Sequence, residues 1–221
     1  MDAIVAAAIR IAATEGLPAV TMNRVASELG TAAMSLYRYL SGKEELLILM
    51  VDGASGPPPD ELWAPGRDWR VGLSQWCRSL RSAYLENPWM LRIPITTPPV
   101  TPNHVAWMEC ALRAMSDTAL AEENKVSTLL LLLGWIRADA SLQADVTAGR
   151  SDTTAATIEF SQGYGAILAR VTDPQRFPAI QAALQADVFG EGTGGNDDFE
   201  FGLQRILDGI ELLIDADDEN S

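Results

Sequence analysis

The sequence predicts an all-α fold: a small N-terminal helix-turn-helix domain of three helices, continued into a larger helical domain. Apolar residues recur at three- and four-residue spacing along most of the 221 residues, and no stretch alternates apolar and polar as a half-buried strand does. Glycines and N-capping residues punctuate the first fifty or so positions, as short helices require. One segment, Gly53 to Gly66, breaks the periodicity with three consecutive prolines. Such a run cannot continue a helix, so it divides the chain into residues 1–53 and 67–215.

The first helix spans about Asp2 to Thr14, with Ile4, Val5, Ala8, Ile11 and Ala12 inward, and ends at Gly16. Its acidic start and Arg10 distinguish it from a signal peptide. Thr21 is placed to cap a second helix whose inner face is Val25, Ala26 and Leu29. Gly30 follows, where the chain needs a positive φ to leave a helix. Thr31 can cap a third helix, Ala32 to Leu40, with Met34, Leu36 and Leu40 on its apolar side. After the Ser41-Gly42 turn, Lys43 opens a fourth helix carrying Leu46, Leu47, Met50 and Val51 to at least Val51.

Two short helices around a glycine turn form the pattern whose second helix enters a DNA major groove. Ser35, Tyr37, Arg38, Tyr39 and Lys43 cluster on and after that second helix, opposite Leu36 and Leu40. Hydroxyl, guanidinium and ammonium groups are the donors that meet phosphate oxygens and base edges. An ordinary solvated face with half-buried tyrosines would present the same residue types. The formal charge of −14 disfavours nucleic acid at first sight. Its distribution matters more: between Met1 and Gly53, four bases (Arg10, Arg24, Arg38, Lys43) stand against six acids (Asp2, Glu15, Glu28, Glu44, Glu45, Asp52), so most of the acid lies further on. Arg24, Arg38 and Lys43 bracket the turn, and a modest salt dependence of binding per subunit is expected.

The residues Gly16-Leu17, Val20-Thr21-Met22, Val25-Ala26, Leu29-Gly30, Ser35-Leu36-Tyr37, Tyr39, Lys43 and Leu46-Leu47 resemble the N-terminal domain of TetR-family transcriptional repressors. The remainder resembles, more loosely, the C-terminal domain of the tetracycline-repressor type. The resemblance implies that Ala33, Met34, Ser35 and Tyr37 face base edges or sugar, and that Tyr39, Lys43 and hydroxyls near Thr21 hold phosphates. Asn23 and Ala33 stand where some members carry longer readout side chains, which bears on the operator sequence. The resemblance also implies a homodimer, double-stranded operator DNA and a small-molecule effector as partners; a cytoplasmic location is the default expectation where no apolar run reaches span length and no signal peptide is read, and no cofactor is expected.

Beyond the prolines the helices resume. Trp69, Leu73, Trp76, Leu80 and Tyr84 share a face from Arg67 to Glu86, and a short helix, Trp89 to Arg92, follows Asn87-Pro88. Thr101-Pro102 starts a helix to Met115 with Val105, Met108, Ala111, Leu112 and Met115 on one side. The longest helix, Ala121 to about Thr147, is apolar nearly all round from Leu129 to Ile136, which calls for cover on several sides. Ser151-Asp152 can cap a helix from Thr153 to Arg170, and a last amphipathic helix runs from Phe199 to Ile214. Leu129 to Ile136 and Leu203 to Ile214 are the candidates for a four-helix subunit interface; an internal core is the alternative for both.

Trp76, Tyr84, Met90, Trp107, Met108, Met115, Trp135, Phe160 and Tyr164 are the candidates to line an effector cavity, with adaptable apolar walls suited to a flat, drug-like molecule. Each of them also suits plain core. Cys77 and Cys110 read as reduced, buried thiols, and His104 stands without the carboxylates of a metal site. A catalytic constellation is missing: one His, no Ser-x-x-Lys, no glycine-rich phosphate loop, no Cys-x-x-Cys. Besides the regulator, a helical protein–protein interaction module derived from one, without DNA binding, fits the same sequence.

Overall fold

The computed structural model describes residues 1–96, 98, 100–151, 163–189 and 196–218, and among these every regular element is helical. The helices are α1 (Asp2–Glu15), α2 (Met22–Glu28), α3 (Ala33–Leu36), α4 (Lys43–Ser55), α5 (Trp69–Glu86), α6 (Pro102–Ala114), α7 (Glu122–Ser151), α8 (Tyr164–Val171), α9 (Pro178–Gln185) and α10 (Asn196–Asp218). Short 3-10 turns occupy Leu17–Ala19, Asp60–Trp63 and Pro88–Arg92.

The chain forms two compact units, one of Met1–Ser141 with Ile206–Ser221, the other of Leu142–Arg205. In the first, Ile4, Ala7, Ala8 and Ile11 of α1 pack with Val20, Val25, Ala26, Leu36, Leu40, Leu46 and Met50, all buried. Burying each of these larger side chains contributes about 1.5–3 kcal/mol, enough to hold helices too short to stand alone. The unit runs past the proline segment because α4 is tied directly to α6, as described below. Further along, Trp76 of α5 meets Trp107 of α6 edge to face at 6.3 Å. A Cβ on Gly72 would come within 3.0 Å of the Ala114 Cβ, so glycine lets these two helices touch. Arg81 of α5 pairs with Asp139 of α7 at 2.5 Å, both nearly buried. Arg70 pairs with Asp208 and, at 3.2 Å, with Glu211 of α10.

In the second unit α8 packs on α9. Tyr164 meets Phe189 edge to face at 5.5 Å, and Gln181 donates to the Thr172 hydroxyl at 3.0 Å.

Several expectations are corrected. The third helix is regular only over Ala33–Leu36; after it the chain tightens into a turn, with Tyr39 N–H on the Leu36 carbonyl at 2.9 Å and Leu40 N–H on the same oxygen at 3.1 Å. Its N-cap is Ala32, which has no side-chain oxygen to offer, not Thr31. Met34 points outward, 76% exposed. In α6 the inward residues are Trp107, Cys110 and Ala111, while Val105 and Met108 are exposed. The longest helix continues to Ser151, past the expected end near Thr147. The expected helix Thr153 to Arg170 lies outside the described residues as far as residue 162, and α8 starts at Tyr164.

Candidate nucleic-acid interface

The second and third helices are built by short-range chemistry. Thr21 caps α2, its hydroxyl accepting from Arg24 N–H at 3.1 Å. Gly30 takes φ +64°, a conformation a side chain resists, and lets Thr31 N–H return to the Ala26 carbonyl at 2.9 Å. The turn then launches α3. Leu36 and Leu40 are each only 2% exposed and pin this segment to the core. Pinning two residues four apart leaves the intervening side chains no choice but to face outward. Met34, Tyr37, Arg38 and Tyr39 are exposed, and Ala33 and Ser35 half-buried.

The next turn is fixed by Glu45, whose carboxylate accepts from Ser41 N–H at 2.6 Å and from the Ser41 hydroxyl at 2.7 Å. Those hydrogen bonds, backbone first, hold the Glu45 carboxyl below the ordinary range. They seat the first turn of α4, so Lys43 projects from a helix start beside Tyr37 to Tyr39 in sequence, exposed. Arg38 lies over the Tyr39 ring, 6.0 Å from its centre. Thr21 and Asn23 are exposed at the start of α2. Arg24 is different: its guanidinium is engaged by Glu15 at 2.6 Å and by Glu28 at 2.9 Å.

The far end of α4 carries residues that sequence reasoning missed. Asp52 is 7% exposed. Its carboxylate accepts from His104 N–H at 3.0 Å, in the first turn of α6, and its backbone carbonyl accepts from the Asn103 amide at 3.0 Å. The Gly56 carbonyl accepts from the Trp107 indole at 2.9 Å. Thr101, at the α6 N-cap, makes no cap bond; its hydroxyl is shared with His104 Nδ1 at 2.6 Å. Asp52 therefore caps α6 from another helix. Burial lowers the His104 pKa, opposed by Asp52 and helped by Arg137. The sequence signal was a lone acid at the end of an amphipathic helix, with nothing to name its partner fifty residues on.

The effector candidates separate. Trp76, Tyr84, Met90, Trp107 and Met115 are buried among α5, α6 and the turns beside them. Their polar handles are engaged: the Trp76 indole donates to the Trp107 carbonyl at 2.8 Å, and Arg137 lies over the Tyr84 ring with a terminal nitrogen 3.5 Å from its hydroxyl. Trp135 is half-buried, Met108 is 37% exposed at the surface, and Tyr164 packs on Phe189. Phe160 lies outside the described residues. A cavity of about 160 Å³ is lined by Trp63, Arg67, Trp76, Cys110, Arg113 and Asp117 among others; of the eight candidates among the described residues only Trp76 borders it. Arg113 lies over the Trp63 ring at 5.5 Å. Cys77 and Cys110 are both buried free thiols, and burial pushes Cys110 up to about 11. Among the described residues no helix is long and apolar enough to cross a membrane, and no group of His, Cys, Asp and Glu is placed to hold a metal.

Comparison with known proteins places these elements. The family of bacterial regulatory proteins called tetR matches residues 4–50, and the tetracyclin repressor-like C-terminal domain matches residues 63–214. The chain is 36% identical over 214 residues to the HTH-type transcriptional repressor DrrR1 of Streptomyces coeruleorubidus, covering 97% of this chain and 78% of that protein. It is similar to ActR of Streptomyces coelicolor in complex with actinorhodin, with TM-score 0.76 and 30% identity over 96% of each chain. The ligand-free form of ActR gives 0.77 at 28% identity, over 100% of this chain and 97% of that one. A third ActR structure, with (S)-DNPA, gives 0.75 at 27% over 96% of each. With both halves of its length matched and a repressor relative spanning nearly all of it, the chain belongs to the TetR family of bacterial regulatory proteins.

Proposed function

We propose that this protein is a homodimeric transcriptional repressor, released from its operator by a small hydrophobic or drug-like molecule, and that it acts without catalysis. The observation that carries the DNA half is the outward patch of Met34, Tyr37, Arg38, Tyr39 and Lys43, held by buried Leu36 and Leu40. In this reading Ala33, Met34, Ser35 and Tyr37 meet base edges or sugar; Thr21, Tyr39, Lys43 and Arg38 meet phosphates. Residues 1–53 carry recognition, and residues 67–215 carry effector binding and pairing.

Two features support the remainder. ActR has been solved with actinorhodin and with (S)-DNPA, which favours a small-molecule ligand for this chain as well. The start of α7 meets the end of α10 through Asn124 and Asp217, 3.4 Å apart. Near that junction both helices expose aliphatic side chains: Val126, Leu130 and Leu131 on α7, Leu212 and Leu213 on α10. Leu130 is 60% and Leu212 71% exposed, a face suited to a two-fold partner, which half-sites on successive turns of DNA demand.

The switch follows from the α4–α6 connection. Rotating α4 to change the spacing of recognition helices disturbs the bonds from Asp52 and Gly56 to α6. A ligand that binds one arrangement better shifts the population by its differential affinity alone. Fluorescence anisotropy on a duplex selected from random-sequence DNA, titrated with actinorhodin and other planar aromatics, tests it. Release of DNA at saturating ligand supports the reading; ligand binding with unchanged DNA affinity defeats the switch.

A further inference from the structure

Arg24 was expected to face DNA, and its surroundings argue for another role. Its Nε lies 3.2 Å from both Glu15 carboxylate oxygens, and its Nη2 lies 2.6 Å from one of them, a two-nitrogen fork on one carboxylate. Its remaining terminal nitrogen, Nη1, donates to Glu28 at 2.9 Å. The other Glu28 oxygen lies 3.7 Å from Arg10. Four charges thus alternate in a row across two helices: Glu15 and Arg10 on α1, Arg24 and Glu28 on α2. Isolated surface pairs contribute little, but a forked guanidinium within a network is the geometry in which they do contribute. The Arg24 hydrogen bond holds the Glu15 carboxyl below its ordinary range, and the Arg24 guanidinium is raised in turn.

We propose that Arg24 is a positioning residue of DNA recognition: gripped by Glu15 and Glu28, it braces α2 against α1 and makes no phosphate contact. The inference rests on the DNA-binding reading and deepens it. All three guanidinium nitrogens already have carboxylate partners, so the Arg24 charge is balanced within the chain and only two of its five N–H groups are left over. The brace fixes α2, and α2 sets α3 through the Gly30 turn, where Thr31 N–H reaches the Ala26 carbonyl. Phosphate attraction then falls to Arg38 and Lys43, the side-chain cations of the first fifty-three residues that have no carboxylate partner among the described residues.

The test measures binding to a duplex selected from random-sequence DNA on the wild-type protein, across a range of salt, for Arg24→Gln, Arg24→Lys, Glu15→Gln, the double variant Glu15→Gln/Arg24→Gln, and Lys43→Gln. Thermal melts confirm that each is folded. A brace predicts that both Arg24 variants and Glu15→Gln weaken binding about three- to tenfold. Lysine cannot reproduce the fork, and Glu15→Gln weakens binding although it removes a negative charge. The double variant is no weaker than the worse single one. The slope of log affinity against log salt stays at the wild-type value in all four, while Lys43→Gln lowers it by about 1.8, roughly 0.9 for each of two subunits. A flattened slope in Arg24→Gln that Arg24→Lys restores, tighter binding by Glu15→Gln, or unchanged affinity in all three single variants overturns the brace while leaving the DNA-binding reading intact. A wild-type protein that selects no duplex overturns the reading itself, and the brace with it.

Discussion

Two aromatic regions of this molecule use the same side chains in opposite ways. Around α3, Tyr37 and Tyr39 are exposed, standing off a segment anchored by Leu36 and Leu40. Between α5 and α6, Trp76 and Trp107 are buried, each indole N–H donating to a main-chain carbonyl. A buried polar group must find a partner within the protein or lose about 1–3 kcal/mol, and these have done so. The comparison separates a surface organised to be met from a core organised to hold. Aromatic content alone distinguishes neither. What does is whether the polar end of the ring is left outward or already engaged.

The largest expected effect would break the anchored side. Leu36→Ala removes a buried side chain beneath the recognition segment and should cost about 2–5 kcal/mol, visible as a large fall in melting temperature with loss of DNA binding. Next comes the support of the core side. Asp139→Asn leaves Arg81 nearly buried without its carboxylate and should destabilise by about 3 kcal/mol in denaturant titration, with DNA contacts themselves untouched. Asp52→Ala removes the acceptor for the His104 N–H and should cost about 1 kcal/mol. Its sharper signature is functional: the DNA affinity of this variant should respond less to ligand, because α4 and α6 are no longer tied at that point. Lys43→Gln should leave stability unchanged and weaken DNA binding, with the shallower salt slope given above.

The smallest effect is a pH dependence. Burial lowers the His104 pKa in the folded chain, so the unfolded chain binds the proton more readily. The contribution of His104 to stability is therefore fully present above its unfolded pKa, near 6.5, and is lost as pH falls through the lower folded value. Melting temperatures between pH 7.5 and pH 5 should fall less steeply in His104→Gln than in the wild-type chain.

Much of the N-terminal fold was legible because its signals are local. Thr21, Gly16, Gly30 and Gly42 act within a few residues of themselves, and each ended or began a helix where expected. Faces were harder. Over the four residues of α3, periodicity cannot say whether Met34 turns in or out, and Met34 turned out. In α6 the wide Trp107 side chain occupies the interior, and Val105 and Met108 are displaced to the surface. Long-range partners were not legible at all. Arg24 looks like a free cation until Glu15, nine positions earlier, folds against it, and Asp52 looks like a solvated acid until α6 arrives. The effector candidates were read from residue type alone, and residue type does not separate a wall from a core.

The most direct test of the central claim, that the outward face from Tyr37 to Lys43 grips duplex DNA from a two-fold molecule, is a hydroxyl-radical footprint on the selected duplex. Two protected patches a whole number of helical turns apart are expected, roughly ten base pairs or a multiple of it. Both should vanish together in Tyr37→Ala/Lys43→Gln at an unchanged melting temperature. A footprint that persists in that variant, or a single patch in the wild-type protein, would contradict the account.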